Sequence, residues 1–297
     1  MRIRKSYILG VLLLVAVVAA VMFAVACGGG DTTAEPSPTT SAATSAADIA
    51  TQILGRAPTG KAKEIVDRGT VTVNNDPNYP PQSSVDQETG ELVGFDVDVA
   101  KKMGEMLGLT PEFVDYKFEQ ILTDLPQDRY DVSIGSMTIN EVRKKKVDFT
   151  DPYYFAPASM VVKEGGPQIT GPEDLAGKKV GVAAGTTYLV WLQDNTEATP
   201  VIYDTDAAAF PDLEQGERID FVFTATPTAL EAIKQGKPFE LSGDPVYYEE
   251  LGFAIKKGEA DWLALLNYAV RTMHEDGSLT AMSETWYDGV DLTQKAQ

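Results

Sequence analysis

Cysteine and histidine are nearly missing from this chain: each occurs once in 297 residues. The single cysteine, Cys27, cannot close an internal disulfide, and no Cys/His cluster offers the ligand set of a zinc site. A Ser–His or Cys–His nucleophilic pair would have to use His274, which lies in a helical stretch just before Glu275, Asp276 and Gly277. An imidazole near a helix C-terminus suits the helix dipole. Positive charge is scarce as well. Lys and Arg number 25 against 44 Asp and Glu, a net charge of −19. Such a surface repels nucleic acid and anionic headgroups. The acidity serves solubility and names no ligand.

What is present begins with an address. Arg2, Arg4 and Lys5 precede an uncharged run from Ser6 to Ala26 rich in Leu, Val and Ala, and Ala24-Val25-Ala26-Cys27 follows. A basic start, an apolar stretch and small residues before a cut describe an export signal. Ending it on a cysteine resembles the bacterial lipoprotein signal, in which Cys27 is the lipid attachment site and becomes the new N-terminus. One departure is Ala24, where such signals usually carry Leu. The competing reading is an uncleaved membrane anchor, since about 20 apolar residues span a bilayer. Both place the remainder outside the cytoplasm, held at the cell membrane. Residues 28–60 are rich in Ser, Thr, Ala, Pro and Gly, and cannot bury enough surface to offset their ordering entropy. They read as a disordered tether.

From Lys61 onward, strands and helices alternate. Thr70-Val71-Thr72-Val73 has the period of a half-buried strand. Asp96 reads as the cap of a helix carrying Val97, Ala100, Met103 and Leu107, which Gly108 ends. Further strands are Asp131–Ser136, Val180–Ala183, Phe221–Phe223 and Gly252–Ile255, and Thr226-Pro227 reads as a cap with proline at the first helical position. This alternation predicts an α/β fold with largely parallel sheets, whose ligands sit at strand C-termini beside helix N-termini. Two junctions suit that role, Gly135 to Asn140 and Gly185 to Thr187, with ordinary capped turns as the competing explanation.

Three runs carry a resemblance to bacterial extracellular solute-binding proteins of family 3, the receptors of polar amino acid ABC importers. They are Tyr79-Pro80-Pro81 with Leu92–Ala100, Gly135–Arg143 continuing through Val147–Tyr154, and Leu175–Val182 followed by Gly185-Thr186-Thr187. The resemblance implies a two-lobed periplasmic-binding-protein fold of type II, with two hinge strands and the ligand in the interlobe cleft. Residues 61–160 and 249–297 would form lobe 1 and residues 161–248 lobe 2. It implies that Arg143 grips a ligand carboxylate through paired charge-assisted hydrogen bonds. Gly135, Ser136 (through its backbone N–H) and Thr138 would assist from lobe 1, and Thr186 and Thr187 from lobe 2. Tyr79 would cover the ligand side chain, and Asp76 would meet a side-chain cation, although an Asp beside Pro77 also suits a plain turn. Tyr188 and Trp191 either line lobe 2 or pack in its core.

The pattern breaks at two places. The aspartate that pairs with the ligand α-ammonium in this family is Ala225 here, and an aromatic after the Pro-Pro pair is Gln82. Either another acid, such as Asp76 or Asp206, meets the ammonium, or the ligand is a carboxylate without a free α-amine. The resemblance implies a monomeric receptor with a small-molecule ligand, an ABC permease as partner and a lipid anchor in the membrane, and no cofactor, metal or nucleic acid. A dehydratase-like enzyme on the same scaffold and the sensory domain of a signalling receptor are the rival classes.

Overall fold

The computed structural model describes residues 44–295. The export segment, Cys27 and the tether as far as residue 43 lie outside the described residues. The described chain begins with helix α1 (Ala46–Leu54), capped by Ser45, whose hydroxyl accepts from Asp48 N at 3.2 Å. This corrects the tether expected to reach residue 60. Ala46, Ala50, Ile53 and Leu54 recur at helical spacing and pack on the first core, but a stripe made half of alanine looks like linker composition.

The elements that follow are α2 (Gly60–Arg68), β1 (Thr70–Asn74), β2 (Asn78–Tyr79), β3 (Ser83–Val85), β4 (Leu92–Val93) and α3 (Phe95–Leu107). After them come β5 (Thr110–Val114), the single turn α4 (Ile121–Asp124), β6 (Val132–Thr138), β7 (Val147–Phe149) and β8 (Tyr154–Lys163). The second half continues with β9 (Lys179–Ala183), α5 (Thr187–Asn195), β10 (Thr199–Tyr203), α6 (Asp206–Gln215), β11 (Phe221–Ala225) and α7 (Thr226–Lys234). The chain closes with β12 (Phe239–Lys256), α8 (Ala260–Glu275) and α9 (Ser278–Trp286). Two expected caps shift. Helix α3 is capped at Gly94 rather than Asp96, whose side chain turns inward to Tyr153 and Ser136. Helix α7 is capped at Ala225 rather than Thr226.

The sheet runs β10-β9-β11-β8-β12-β6-β1-β5, with β7 also on β12, while β2-β3-β4 form a small sheet apart. Pairings β1–β5, β1–β6, β9–β10 and β9–β11 are parallel. Strands β8 and β12 pair antiparallel from Tyr154/Leu251 to Lys163/Phe239. One end of this ribbon joins β6 and β7, and the other joins β11. Two parallel α/β blocks are thus connected by two long strands, the two-lobed arrangement expected.

Each block has its own core. In the first, Phe95 lies edge-on to Tyr154 at 5.1 Å, and Tyr153 packs on Phe253 at 4.9 Å. In the second, β11 is buried on both faces, with Phe221, Phe223 and Ala225 toward one cluster and Val222 toward the other, as strands covered by helices require. Truncating Phe223 to Ala would remove about 3–5 kcal/mol of that packing. His274 lies in the last turn of α8, with Nε2 3.0 Å from the Pro152 carbonyl.

Candidate ligand-binding site

Between the blocks lies a cavity that gathers every side of the expected site. Gly135, Ser136, Thr138 and Arg143 line it from the first block, and Thr186 and Thr187 from the second. Asp76, on the turn after β1, and Tyr79, at the end of β2, line it too. Arg143 belongs to a run of four cations, and a short 3-10 turn sorts them. Asn140 Oδ1 accepts from Arg143 N at 2.9 Å. Lys144, Lys145 and Lys146 face solvent while Arg143 is only 4% exposed.

The guanidinium joins the two blocks. Nη1 donates to the Thr138 carbonyl and Nη2 to the Gly185 carbonyl, each at 3.0 Å. The Phe118 ring lies 5.5 Å from the guanidinium carbon, within cation–π range. Burial pulls the group below its ordinary pKa, and the negative charge of Glu249 opposes this. Arginine keeps its proton regardless, so the cavity holds a fixed positive charge. Gly185 is needed on two counts: its φ is +75°, and a Cβ there would come within 2.9 Å of Glu119 Cα across the cleft.

Under Arg143 lies a buried polar network. Ser136 adopts φ 55°, a left-handed conformation that costs a non-glycine residue roughly 1–2 kcal/mol. It is held there by three bonds. Its Oγ donates to Asp96 Oδ2 at 2.7 Å and accepts from the Tyr154 hydroxyl at 2.6 Å, and its N–H donates to the Tyr153 hydroxyl at 3.1 Å. The Ser136 N–H expected to face the ligand is therefore engaged by Tyr153. The Asp96 carboxyl is raised to about 7 by burial, against the bonds from Tyr153 and Ser136.

The carboxylate that was not foreseen is Glu249 on β12. It is 4% exposed. Its Oε1 accepts from Thr138 Oγ1 at 2.7 Å and from Thr187 Oγ1, and its Oε2 accepts from the Tyr188 hydroxyl at 2.7 Å. It thus ties both blocks to the connecting strand. The signal was present: Glu249 shares the inward face of β12 with Leu251 and Phe253 by period-2 alternation. Nothing in the run Tyr247-Tyr248-Glu249-Glu250 itself separates it from its partly exposed neighbour Glu250.

These bonds settle the polarity of the cavity. A hydroxyl has one proton to donate, and here the hydroxyls of Ser136, Thr138, Thr187 and Tyr188 donate to Asp96 or Glu249. Those of Thr186 and Ser83 donate to the backbone carbonyls of Ala183 and Asp76. Thr186 also caps α5, accepting from Leu189 N at 3.3 Å. Toward the cavity these oxygens offer lone pairs. Arg143 brings donors, the hydroxyl-bearing Tyr79 and Thr205 also line the wall, and Asp76, Asp206 and Glu249 add carboxylates to it. Asp204 is ion-paired to Lys117 at 2.8 Å.

Asp76 is both a turn former and a cavity residue: its Oδ1 accepts from Asn78 N at 2.8 Å. Its carboxyl is raised by burial, against the Asn78 bonds. Tyr188 lines the cavity and Trp191 does not. Trp191 sits edge-on to Phe223 at 5.5 Å and borders an outer groove. Gln82 is buried away from the cavity, 3.3 Å from Thr228 Oγ1. Among the described residues, no group of three or more His, Cys, Asp or Glu side chains could hold a metal, and no helix is long and apolar enough to cross a membrane.

A two-lobed α/β fold with a buried guanidinium in the cleft defines a solute receptor. Over residues 71–289 the chain matches the bacterial extracellular solute-binding proteins, family 3, and it belongs to that family. It is 36% identical over 238 residues to the L-cystine-binding protein TcyJ of Escherichia coli strain K12, covering 79% of this chain and 88% of that protein. An ancestral arginine-binding protein bound to arginine superposes with a TM-score of 0.70 at 37% identity, over 74% of this chain and 99% of that one. The ancestral amino acid-binding protein AncCDT-1, a precursor of cyclohexadienyl dehydratase, gives 0.70 at 34% identity, over 75% and 98%. The chain is a binding protein rather than an enzyme.

Proposed function

We propose that this protein captures a polar amino acid bearing more than one cationic nitrogen and delivers it to an ABC permease. The observation that carries this is the buried Arg143 guanidinium in a cavity whose wall also holds the carboxylates of Asp76, Asp206 and Glu249. Arg143 takes the ligand carboxylate, exchanging one or both carbonyl bonds for a bidentate pair. Gly135, Ser136 and Thr138 form the wall beside it, Tyr79 covers the ligand side chain, and Asp76 and Glu249 answer its positive charge. Thr186 and Thr187 approach from the other lobe. Arginine and cystine, named for the relatives above, each carry two cationic nitrogens. Contacts from both lobes favour the form in which the lobes meet, since a ligand shifts an equilibrium by its differential affinity for the two states. Lobe 1 comprises residues 61–160 and 249–297 together with helix α1, and lobe 2 residues 161–248.

The test is thermal unfolding against a library of amino acids, amines and organic acids, because a ligand of the native state raises apparent stability. L-Arginine or L-cystine should give the largest rise. A larger rise with deaminated acids would favour the other reading, a carboxylate without a free α-amine, which the buried methyl of Ala225 supports.

The receptor works outside the cytoplasm as a monomer, tethered by lipid on Cys27. Replacing Cys27→Ser should move it from the membrane fraction to the soluble fraction and abolish palmitate labelling. Unchanged labelling would refute the anchor.

A further inference from the structure

We propose that Asp206 is the counter-ion for the ligand's α-ammonium, in place of the carboxylate that the family carries at the position of Ala225. This presupposes that the cleft receives an amino acid.

The Ala225 methyl is 1% exposed and packs in the second core beside Phe223 and Tyr188. It offers a cation nothing. One residue earlier on the same strand, Thr224 turns to the opposite face and donates its hydroxyl to Asp206 Oδ2 at 2.7 Å. Asp206 is the first residue of α6, capped by Thr205, and only 3% exposed. The Thr224 bond therefore fixes a carboxylate close to the strand end where the family keeps one. It lines the same cavity as Arg143.

Its second oxygen distinguishes it from the other acids there. Oδ1 is buried and makes no hydrogen bond. Both Glu249 oxygens accept hydroxyls, and Asp76, which accepts from Asn78 at Oδ1 alone, is partly exposed and leaves no buried oxygen unpartnered. Buried polar atoms in native proteins nearly always have partners, and an exception calls for a cause. An ammonium carries three donors and supplies both the missing hydrogen bond and the missing charge. Burial raises the Asp206 carboxyl to about 7, and repulsion from Asp76 and Glu249 adds to this while hydrogen bonding by the Thr224 hydroxyl and, less, by the Ala183 backbone N–H opposes it. An ammonium arriving at Oδ1 would reverse that balance.

The assignment is tested by calorimetric titration of wild type and Asp206→Asn with two pairs of probes: L-arginine with 5-guanidinopentanoate, and L-cystine with 3,3′-dithiodipropionate. Wild type should prefer the amine-bearing member of the pair it binds by at least about 30-fold, the lower end for a buried charge pair. Asp206→Asn should erase that preference by weakening the amine-bearing member, leaving the deaminated member within about 3-fold. Equal affinities within a pair in wild type, or equal losses of both members in the variant, would overturn the assignment and leave the carboxylate site standing. Binding of none of the four probes to wild type would overturn the amino acid reading and this assignment with it. A measurement on wild type guards against a variant that fails to fold. The Asp206 carboxyl carbon resonance should titrate at lower pH with the amine-bearing probe bound than with its deaminated partner. The other groups facing it, Asp76, Glu249 and the phenols of Tyr79, Tyr188 and Tyr247, are common to both complexes. An identical titration in the two would refute the assignment.

Discussion

Arg143 of the first lobe and Asp206 of the second are opposite charges held in the cleft in different ways. The first lobe presents Arg143, with two of its donors already on the Thr138 and Gly185 carbonyls and its face on Phe118. The second presents Asp206, with one oxygen bonded to Thr224 and the other without a partner. A cation satisfied by backbone can wait indefinitely for a carboxylate. An anion with an empty oxygen is held at a cost that a proton or a ligand cation removes. In the proposed site the carboxylate end is prebuilt, and the amine end would be completed by what binds.

The largest effect should come from the prebuilt end. Arg143→Ala removes the one cation in the wall and leaves the ligand carboxylate buried without a partner. Losses for such truncations run to roughly 2–5 kcal/mol, about 30-fold to several thousand-fold in Kd. Calorimetric titration with L-arginine or L-cystine reads this directly. The neighbouring Lys144→Ala, at an exposed position, should change Kd by less than about 3-fold. A near-unchanged Kd in Arg143→Ala would place the carboxylate elsewhere and undo the contrast between the lobes.

The same contrast marks what could be read from the residues alone. Local period and turn chemistry revealed the α/β alternation, and the family resemblance carried by the contiguous Gly135–Arg143 run singled out the guanidinium. The structure brings that run together with Gly185–Thr187, Asp76 and Tyr79. Glu249 escaped notice, and Asp206 entered only as one of two acids that could meet the ammonium, because the roles of both are set by partners elsewhere along the chain. Glu249 meets Thr138 from 111 residues away, and Asp206 meets Thr224 across a strand and a helix. No local pattern separates such acids from the solvated ones in a chain of net charge −19. Ser136 was read as a ligand donor because its strained backbone and its bond to Tyr153 depend on the buried network beneath it. Helix α1 was missed because alanine serves both linkers and close helix packing.

A subtler effect compares one acid in each lobe through pH. Asp96 and Asp206 sit at the starts of α3 and α6, both fully buried and both raised to about 7 by burial. Unfolded, each would titrate near its ordinary value of about 3.9. Between those values the folded chain binds more protons than the unfolded one, so stability falls as pH rises. The contribution is complete below about pH 4 and gone above about pH 7, on the order of 1–4 kcal/mol for each group at 1.36 kcal/mol per pH unit. The ligand-free protein should therefore melt at a higher temperature at pH 5 than at pH 8. Asp206→Asn and Asp96→Asn should each remove a share of that difference. Asp96→Asn should also lower Tm at both pH values, because both Asp96 oxygens accept, from Tyr153 and from Ser136, and an amide has only one acceptor. Saturation with an amine-bearing ligand separates the two acids. An ammonium on Asp206 Oδ1 should remove the Asp206 share and leave that of Asp96, so the bound wild type should show the pH slope of ligand-free Asp206→Asn. A bound protein that keeps the full slope would mean that no cation reaches the second lobe's acid.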